Sequence, residues 1–245
     1  METTGRDRPI VIQPRRPFLD RVTTLVRRGA FTLIAGSVDY RDESGRLRAY
    51  NSAFVIAPDG TVGPSYDKMH LVPFGEYVPL QKALFFVDRM VRGAIAEFAP
   101  GRRARPLPTP AGEAATFICY EAVFPELVRR VAGDAAFLVN ITNDAWFGRS
   151  AAPRQHLAMA VLRAAENRRF LLRAANTGIS ALVDPAGRIV TATALGEKTI
   201  LSGLLMPRRG RTLYARCGDL FACGCAIVTV LSAAALRAAF LRPGP

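Results

Sequence analysis

One stretch near the C-terminus constrains this chain more than any other. Leu220 to Leu236 reads LFACGCAIVTVLSAAAL, seventeen residues without a charge. As a helix it spans about 25 Å, or about 33 Å if Arg237 snorkels and the run continues to Leu241, against a hydrocarbon core of about 30 Å. A buried core helix has the same composition, so length alone leaves both readings open. Position and flanks favour a membrane span: the run is terminal and apolar on all sides, with Arg216 and Asp219 before it and Arg237 and Arg242 after.

The preceding residues alternate between strand-like and helix-like patterns. Strands are expected at Phe31 to Val38, Tyr50 to Ala57, Ala114 to Tyr120 and Ala135 to Thr142, with a turn at Pro58-Asp59-Gly60 and another across Arg41 to Gly45. A helical stretch is expected near Pro125 to Val131. From Pro153 to Arg169 the residues Leu157, Val161, Ala164 and Ala165 recur at helical spacing. Further strands are expected near Phe170 to Ala175, Ile179 to Asp184 and Arg188 to Thr193. The expected organisation is a single α/β sandwich-type domain over residues 1–212. A juxtamembrane segment and a transmembrane helix (about 220–241) then occupy 213–245.

Composition excludes several classes. With half its 245 residues apolar and 22% charged, the chain is neither a disordered tail nor a low-complexity linker. Its net charge of +13 gives a surface that attracts phosphate, on lipid headgroups or nucleic acid. Nucleic-acid binding is disfavoured because the arginines are dispersed, with no helix-turn-helix, RNP or zinc pattern. The four cysteines show no CxxC or Cys/His ligand spacing, so neither a metal site nor a disulfide framework is expected, and no cofactor is implied. Met1 to Arg28 carries charges throughout and does not read as a signal peptide.

Cys119 ends an apolar strand, where a sheet holds a side chain rigidly at a cleft. A free thiol of pKa about 8.5 is only a few per cent thiolate at neutral pH, so a nucleophilic one needs a base or cation beside it. A strand cysteine is otherwise a small buried hydrophobe. Lys68 lies in the loop-like run Tyr66 to Pro79, and an ammonium suits an oxyanion; an ordinary solvated lysine is the alternative. Asn140 to Gly148 follows a buried strand and contains Trp146, the single tryptophan. It is either a packing loop or the wall of a substrate site. His70 and His156 stand in no recognisable nucleophile arrangement and read as structural. No G-x-S-x-G elbow is present, which disfavours a Ser-His-Asp esterase.

Y-D-K-M-H-L around Lys68, C-Y-E-A-V-F-P-E-L from Cys119, R-A-A-E-N (163–167) and N-T-G-I-S-A-L-V-D-P-A-G (176–187) together resemble the nitrilase, or carbon–nitrogen hydrolase, superfamily. That resemblance implies an α-β-β-α sandwich and a Glu–Lys–Cys triad. L-V-P-F-G-E-Y-V-P (71–79), I-T-N-D-A-W-F-G (141–148) and the terminal helix are similar to its apolipoprotein N-acyltransferase branch. The resemblance to that branch implies ping-pong acyl transfer. An acyl chain passes from a membrane phospholipid to Cys119 as a thioester, then to the N-terminal diacylglyceryl-cysteine amine of an apolipoprotein. Lys68 then holds the oxyanion and Glu76 stands as a second carboxylate. Tyr120 and Glu121 flank the nucleophile, and Trp146 joins them in binding substrate.

The chain departs from that pattern at its start. The family's general base sits in a W-P-E-[TS]-A-like run, and Glu2 is the candidate, 66 positions before Lys68. Glu43, in Arg41 to Gly45, is a poorer one. The first strands of the sandwich and the upstream membrane helices have no counterpart. The expectation is therefore an N-terminally truncated C-terminal portion of a longer gene, or a late start codon. The family works at the bacterial inner membrane, with its catalytic domain periplasmic. Here Arg208, Arg209, Arg211 and Arg216 before the span, against Arg237 and Arg242 after it, favour cytoplasmic retention. Two alternatives stand beside the acyltransferase reading: an amidase acting on small amides, and a catalytically incompetent remnant.

Overall fold

The computed structural model describes residues 16–79 and 97–240. Helix α1 (Arg16–Gly29), an element beyond the expected ones, turns Val26 into the core and donates from Arg27 Nε to the Asp59 carbonyl at 2.6 Å. Strands β1 (Leu33–Glu43) and β2 (Arg46–Ile56) pair antiparallel without interruption from Leu33↔Ile56 to Glu43↔Arg46. The strand expected to stop at Val38 therefore continues, and the turn shrinks to Ser44-Gly45. Both turn residues have positive φ (57° and 80°), the geometry that matches a hairpin's twist. Strand β3 (Val62–Asp67), also unpredicted, adds antiparallel to β2 and delivers the chain to Lys68.

The second sheet has the order β4-β5-β6-β7-β8. Strands β4 (Ala114–Ile118), β5 (Phe137–Asn143) and β6 (Leu171–Asn176) are parallel, while β7 (Ala181–Val183) and β8 (Ile189–Ala192) return antiparallel. Every residue of β4 is buried, as expected of a parallel strand covered on both faces. Crossovers α2 (Pro125–Ala132) and α3 (Ala152–Asn167) pack Val128, Val131, Ala160 and Ala164 against Phe117, Leu138 and Leu171. Ala53, Val55 and Tyr66 of the first sheet join the same cluster, so two sheets face each other between helices. The architecture is an α-β-β-α sandwich.

A cavity of about 830 Å³ opens between β1 and the second sheet, with Ile34, Phe137, Val139, Ile141 and Leu172 in its wall. Cys119, Lys68 and Glu76 do not line it.

After β8 the chain runs through an extended strap to α4 (Leu213–Cys217) and α5 (Leu220–Phe240). Leu220–Arg237 has mean hydropathy 1.9 and none of it is buried in the domain, which sets it apart from a core helix. Helix α5 is long and apolar enough to cross a membrane.

Candidate active site

Cys119 follows the last residue of β4 and opens a 3₁₀ turn spanning Cys119–Val123. Its φ is +51°, a left-handed backbone that costs a non-glycine residue on the order of 1–3 kcal/mol and persists only where the surroundings impose it. The three backbone groups at the strand's end are all tied down by side chains. Asn140 Nδ2 donates to the Phe117 carbonyl at 3.0 Å, the Ile118 N–H donates to Glu121 Oε2 at 2.7 Å, and His156 Nε2 lies 3.0 Å from the Cys119 carbonyl. The half-buried thiol thus sits on a fixed elbow between sheet and helix.

Lys68 follows β3, and its own N–H donates to the Asn51 carbonyl at 2.8 Å. Its side chain is 1% exposed, and Nζ reaches Glu76 Oε2 at 2.6 Å. A buried ammonium requires such a partner. The turn at Phe74, where φ is +59°, folds Glu76 back toward it. Glu76 also accepts from the Val72 N–H at 2.8 Å and from Asn51 Nδ2 at 2.9 Å, so its carboxylate is held on several sides.

Glu121 joins the lysine loop to the end of the strand that carries Cys119. Its carboxylate has no exposed surface and accepts from Tyr66 Oη, from the Met69 and His70 N–H groups at 2.7 and 3.0 Å, and from the Ile118 N–H. Burial pushes this carboxyl upward, against the pull of those three backbone donors and the tyrosine. The resemblance implies that Glu121 contacts substrate; the structure encloses its side chain completely, between the lysine loop and the end of β4.

Tyr120, half-buried beside Cys119, packs edge-on against Phe124, whose ring lies 3.6 Å from His70 centroid to centroid. Burial, and then the charge of Lys68, lower the His70 pKa. Trp146 lies in the 3₁₀ turn Asp144–Phe147 and is 80% exposed, so it contributes almost nothing to the core. Glu2 lies outside the described residues. Glu43 accepts from Tyr50 Oη at 2.5 Å, within the β1–β2 hairpin. The Arg163–Asn167 motif closes the C-terminus of α3, where Arg163 pairs with Glu166 at 2.6 Å and Asn167 Nδ2 donates to the Arg163 carbonyl.

Behind the elbow lies a polar cluster that the motifs did not single out. Asp144 accepts from Thr142 Oγ1 and Arg173 Nη2, both at 2.8 Å, and meets His156 Nδ1 at 2.9 Å. Arg173 also bonds Asn140 Oδ1, its register partner on β5. Burial alone raises the Asp144 carboxyl, yet His156, Arg173 and Thr142 outweigh it and hold the value below normal. Arg173 is lowered by burial, opposed by Asp144 and by Cys119. One signal was available in advance: an arginine inside the apolar run FLLRAA demands a buried acid. Among the described residues no group of His, Cys, Asp and Glu suits a metal ion.

Residues 6–212 match the family model described as carbon-nitrogen hydrolase. A curated relative named apolipoprotein N-acyltransferase from Geobacter metallireducens is 44% identical over 231 residues, covering 94% of this chain and 44% of the relative. One of the same name from Bradyrhizobium diazoefficiens is 41% identical, over 99% of this chain and 48% of its own length. The chain thus spans about half the length of these relatives. Among solved structures, a carbon-nitrogen hydrolase from Helicobacter pylori superposes with TM-score 0.58 at 18% identity, over 75% of this chain and 65% of the other. A Saccharomyces cerevisiae member of the nitrilase superfamily gives 0.55 at 20% identity, over 76% and 65%. At such identities these structures speak to the fold.

Proposed function

The chain belongs to the carbon–nitrogen hydrolase family, and from that premise we propose that it works as an N-acyltransferase in bacterial lipoprotein maturation. The acyl donor is a membrane phospholipid and the acceptor is the N-terminal diacylglyceryl-cysteine of an apolipoprotein. Cys119 Sγ, as thiolate, attacks the ester carbonyl, and Lys68 Nζ donates to the oxyanion. Collapse expels the lysophospholipid oxygen, which takes up the proton the thiol released, and leaves a thioester. The lipoprotein amine then attacks, loses a proton to the base, and Cys119 departs as the thiol. Glu2 is the proposed base, Glu76 holds Lys68, and Tyr120 and Trp146 border the substrate. Residues 1–212 form the catalytic unit.

The Glu121 bridge carries this reading, because one carboxylate fastens the residue before the nucleophile to the two residues after the lysine. Helix α5, with none of Leu220–Arg237 buried in the domain, supports a membrane-tethered enzyme at the inner membrane. Exposed Arg208, Arg209 and Arg216 just ahead of it suit anionic headgroups.

The test is the intact mass of detergent-purified protein after incubation with phosphatidylethanolamine, beside Cys119→Ala. The expected result is an acyl-sized increment on the wild type alone, removed by hydroxylamine. A folded wild type without the increment overturns the proposal. Ammonia release from small amides would replace it with the amidase reading.

A further inference from the structure

The sequence gives His156 no role, yet the fold places it directly behind the nucleophile. It is 4% exposed, on α3, and bridges two anchors. Nε2 lies 3.0 Å from the Cys119 carbonyl, an acceptor only, so Nε2 donates in that bond. Nδ1 meets Asp144 Oδ1 at 2.9 Å and lies 3.2 Å from Arg173 Nη2. Asp144 is in turn fixed by Thr142 and Arg173, and Arg173 Nε donates to the Ile179 carbonyl at 3.2 Å.

We infer that His156 is a positioning residue that sets the orientation of Cys119 through its carbonyl. Cys119 holds a positive φ that it does not favour intrinsically. Glu121 fixes the peptide between Phe117 and Ile118, and Asn140 fixes the same peptide from its carbonyl side. The peptide after Cys119 is held by His156, so this bond opposes relaxation of the nucleophile to ordinary backbone angles. The cluster of Asp144, Thr142, Arg173 and Asn140 keeps the imidazole at the right depth, and its buried bonds join β5, β6 and α3 to the elbow. Within the Asp144 cluster only His156 and Asn140 bond the backbone of Phe117 to Cys119, and only His156 bonds Cys119 itself.

This inference rests on Cys119 being the nucleophile, but not on the lipid substrates. Its test therefore uses p-nitrophenyl butyrate, whose ester carbonyl takes the thiolate, releases nitrophenolate and leaves a butyryl thioester. The burst of nitrophenolate reports acylation of the 245-residue chain in detergent, with Cys119→Ala as the blank. In His156→Asn the amide replaces Nδ1 and can still bond Asp144, but it cannot reach the carbonyl. In His156→Gln the amide replaces Nε2 and can still donate to the carbonyl. His156→Asn is expected to slow the burst about a hundredfold at an unchanged half-saturating ester concentration, while His156→Gln stays within about threefold of wild type.

Asn as fast as wild type, or Gln as slow as Asn at equal melting temperature, overturns the inference. If His156→Asn does not fold, the folded Gln variant decides alone: a rate within about threefold supports it and a hundredfold loss overturns it. A wild type without a Cys119-dependent burst removes the nucleophile reading and this inference together. A His156-dependent burst without loading from phosphatidylethanolamine leaves the inference standing and removes only the lipid substrate.

Discussion

Gly178 and Asp144 stand so close that a Cβ at position 178 would lie 2.8 Å from the Asp144 Cβ, closer than real Cβ atoms approach. The glycine of N-T-G-I-S is therefore a space requirement of the acid in I-T-N-D-A-W. Two motifs more than thirty residues apart meet at one carboxylate.

Gly178→Ala is expected to displace Asp144 and loosen its bonds to Arg173 and His156. Forced overpacking of this kind costs about 2 kcal/mol. Thermal unfolding should show the loss, together with slower acylation of Cys119. An unchanged melting temperature would mean that the loop yields without moving Asp144.

Lys68→Met keeps the length of the side chain and removes its charge. Glu76 then loses a partner 2.6 Å away in a nearly closed site, although the Val72 N–H and Asn51 remain. Breaking a buried pair from one side costs about 3 kcal/mol. Acylation should fall below detection, and denaturant unfolding should show the destabilisation. Lys68→Met with Glu76→Gln is expected to recover most of the stability and none of the activity.

Asp144 carries a pH signature. Its carboxyl is held below the usual aspartate range, since His156, Arg173 and Thr142 outweigh the opposing effect of burial. A depressed folded-state value means the stabilisation is fully present above the usual aspartate range. It is lost as pH falls through that range toward the depressed value. Melting temperature should therefore drop in acid, and Asp144→Asn should start lower at neutral pH and fall less steeply. Parallel acid profiles for the two proteins would assign the loss to other carboxyls.

Trp146, the single tryptophan, is 80% exposed and serves as its own reporter. Its emission should be that of a hydrated indole in the apo protein and shift to the blue when phosphatidylethanolamine occupies the site. Trp146→Ala should change stability by less than about 0.5 kcal/mol, the range of surface substitutions, and weaken loading by phospholipid. No spectral shift at lipid concentrations that load Cys119 would remove Trp146 from the substrate boundary.

Local pattern was enough to determine part of this protein. An uncharged run of seventeen residues can only be a buried helix or a span, and the buried strand ahead of Cys119 is legible because β4 is apolar but for Thr116. Cys119, Lys68 and Glu76 stand in runs whose residue types are specific enough to resemble a family. Two elements go beyond those expectations. Helix α1 carries Leu19, Val22 and Val26 at helical spacing, a short amphipathic stripe, and β3 holds a glycine and a proline, so only pairing with β2 makes it a strand. Tertiary structure also decided what the groups of the site touch. The resemblance makes the carboxylate beside Cys119 a substrate contact, whereas the backbone N–H groups of Ile118, Met69 and His70 enclose it. His156 and Arg173 acquire meaning only when α3 and β6 bring them to Asp144, because a buried polar group is defined by its partners, and those partners lie far away along the chain.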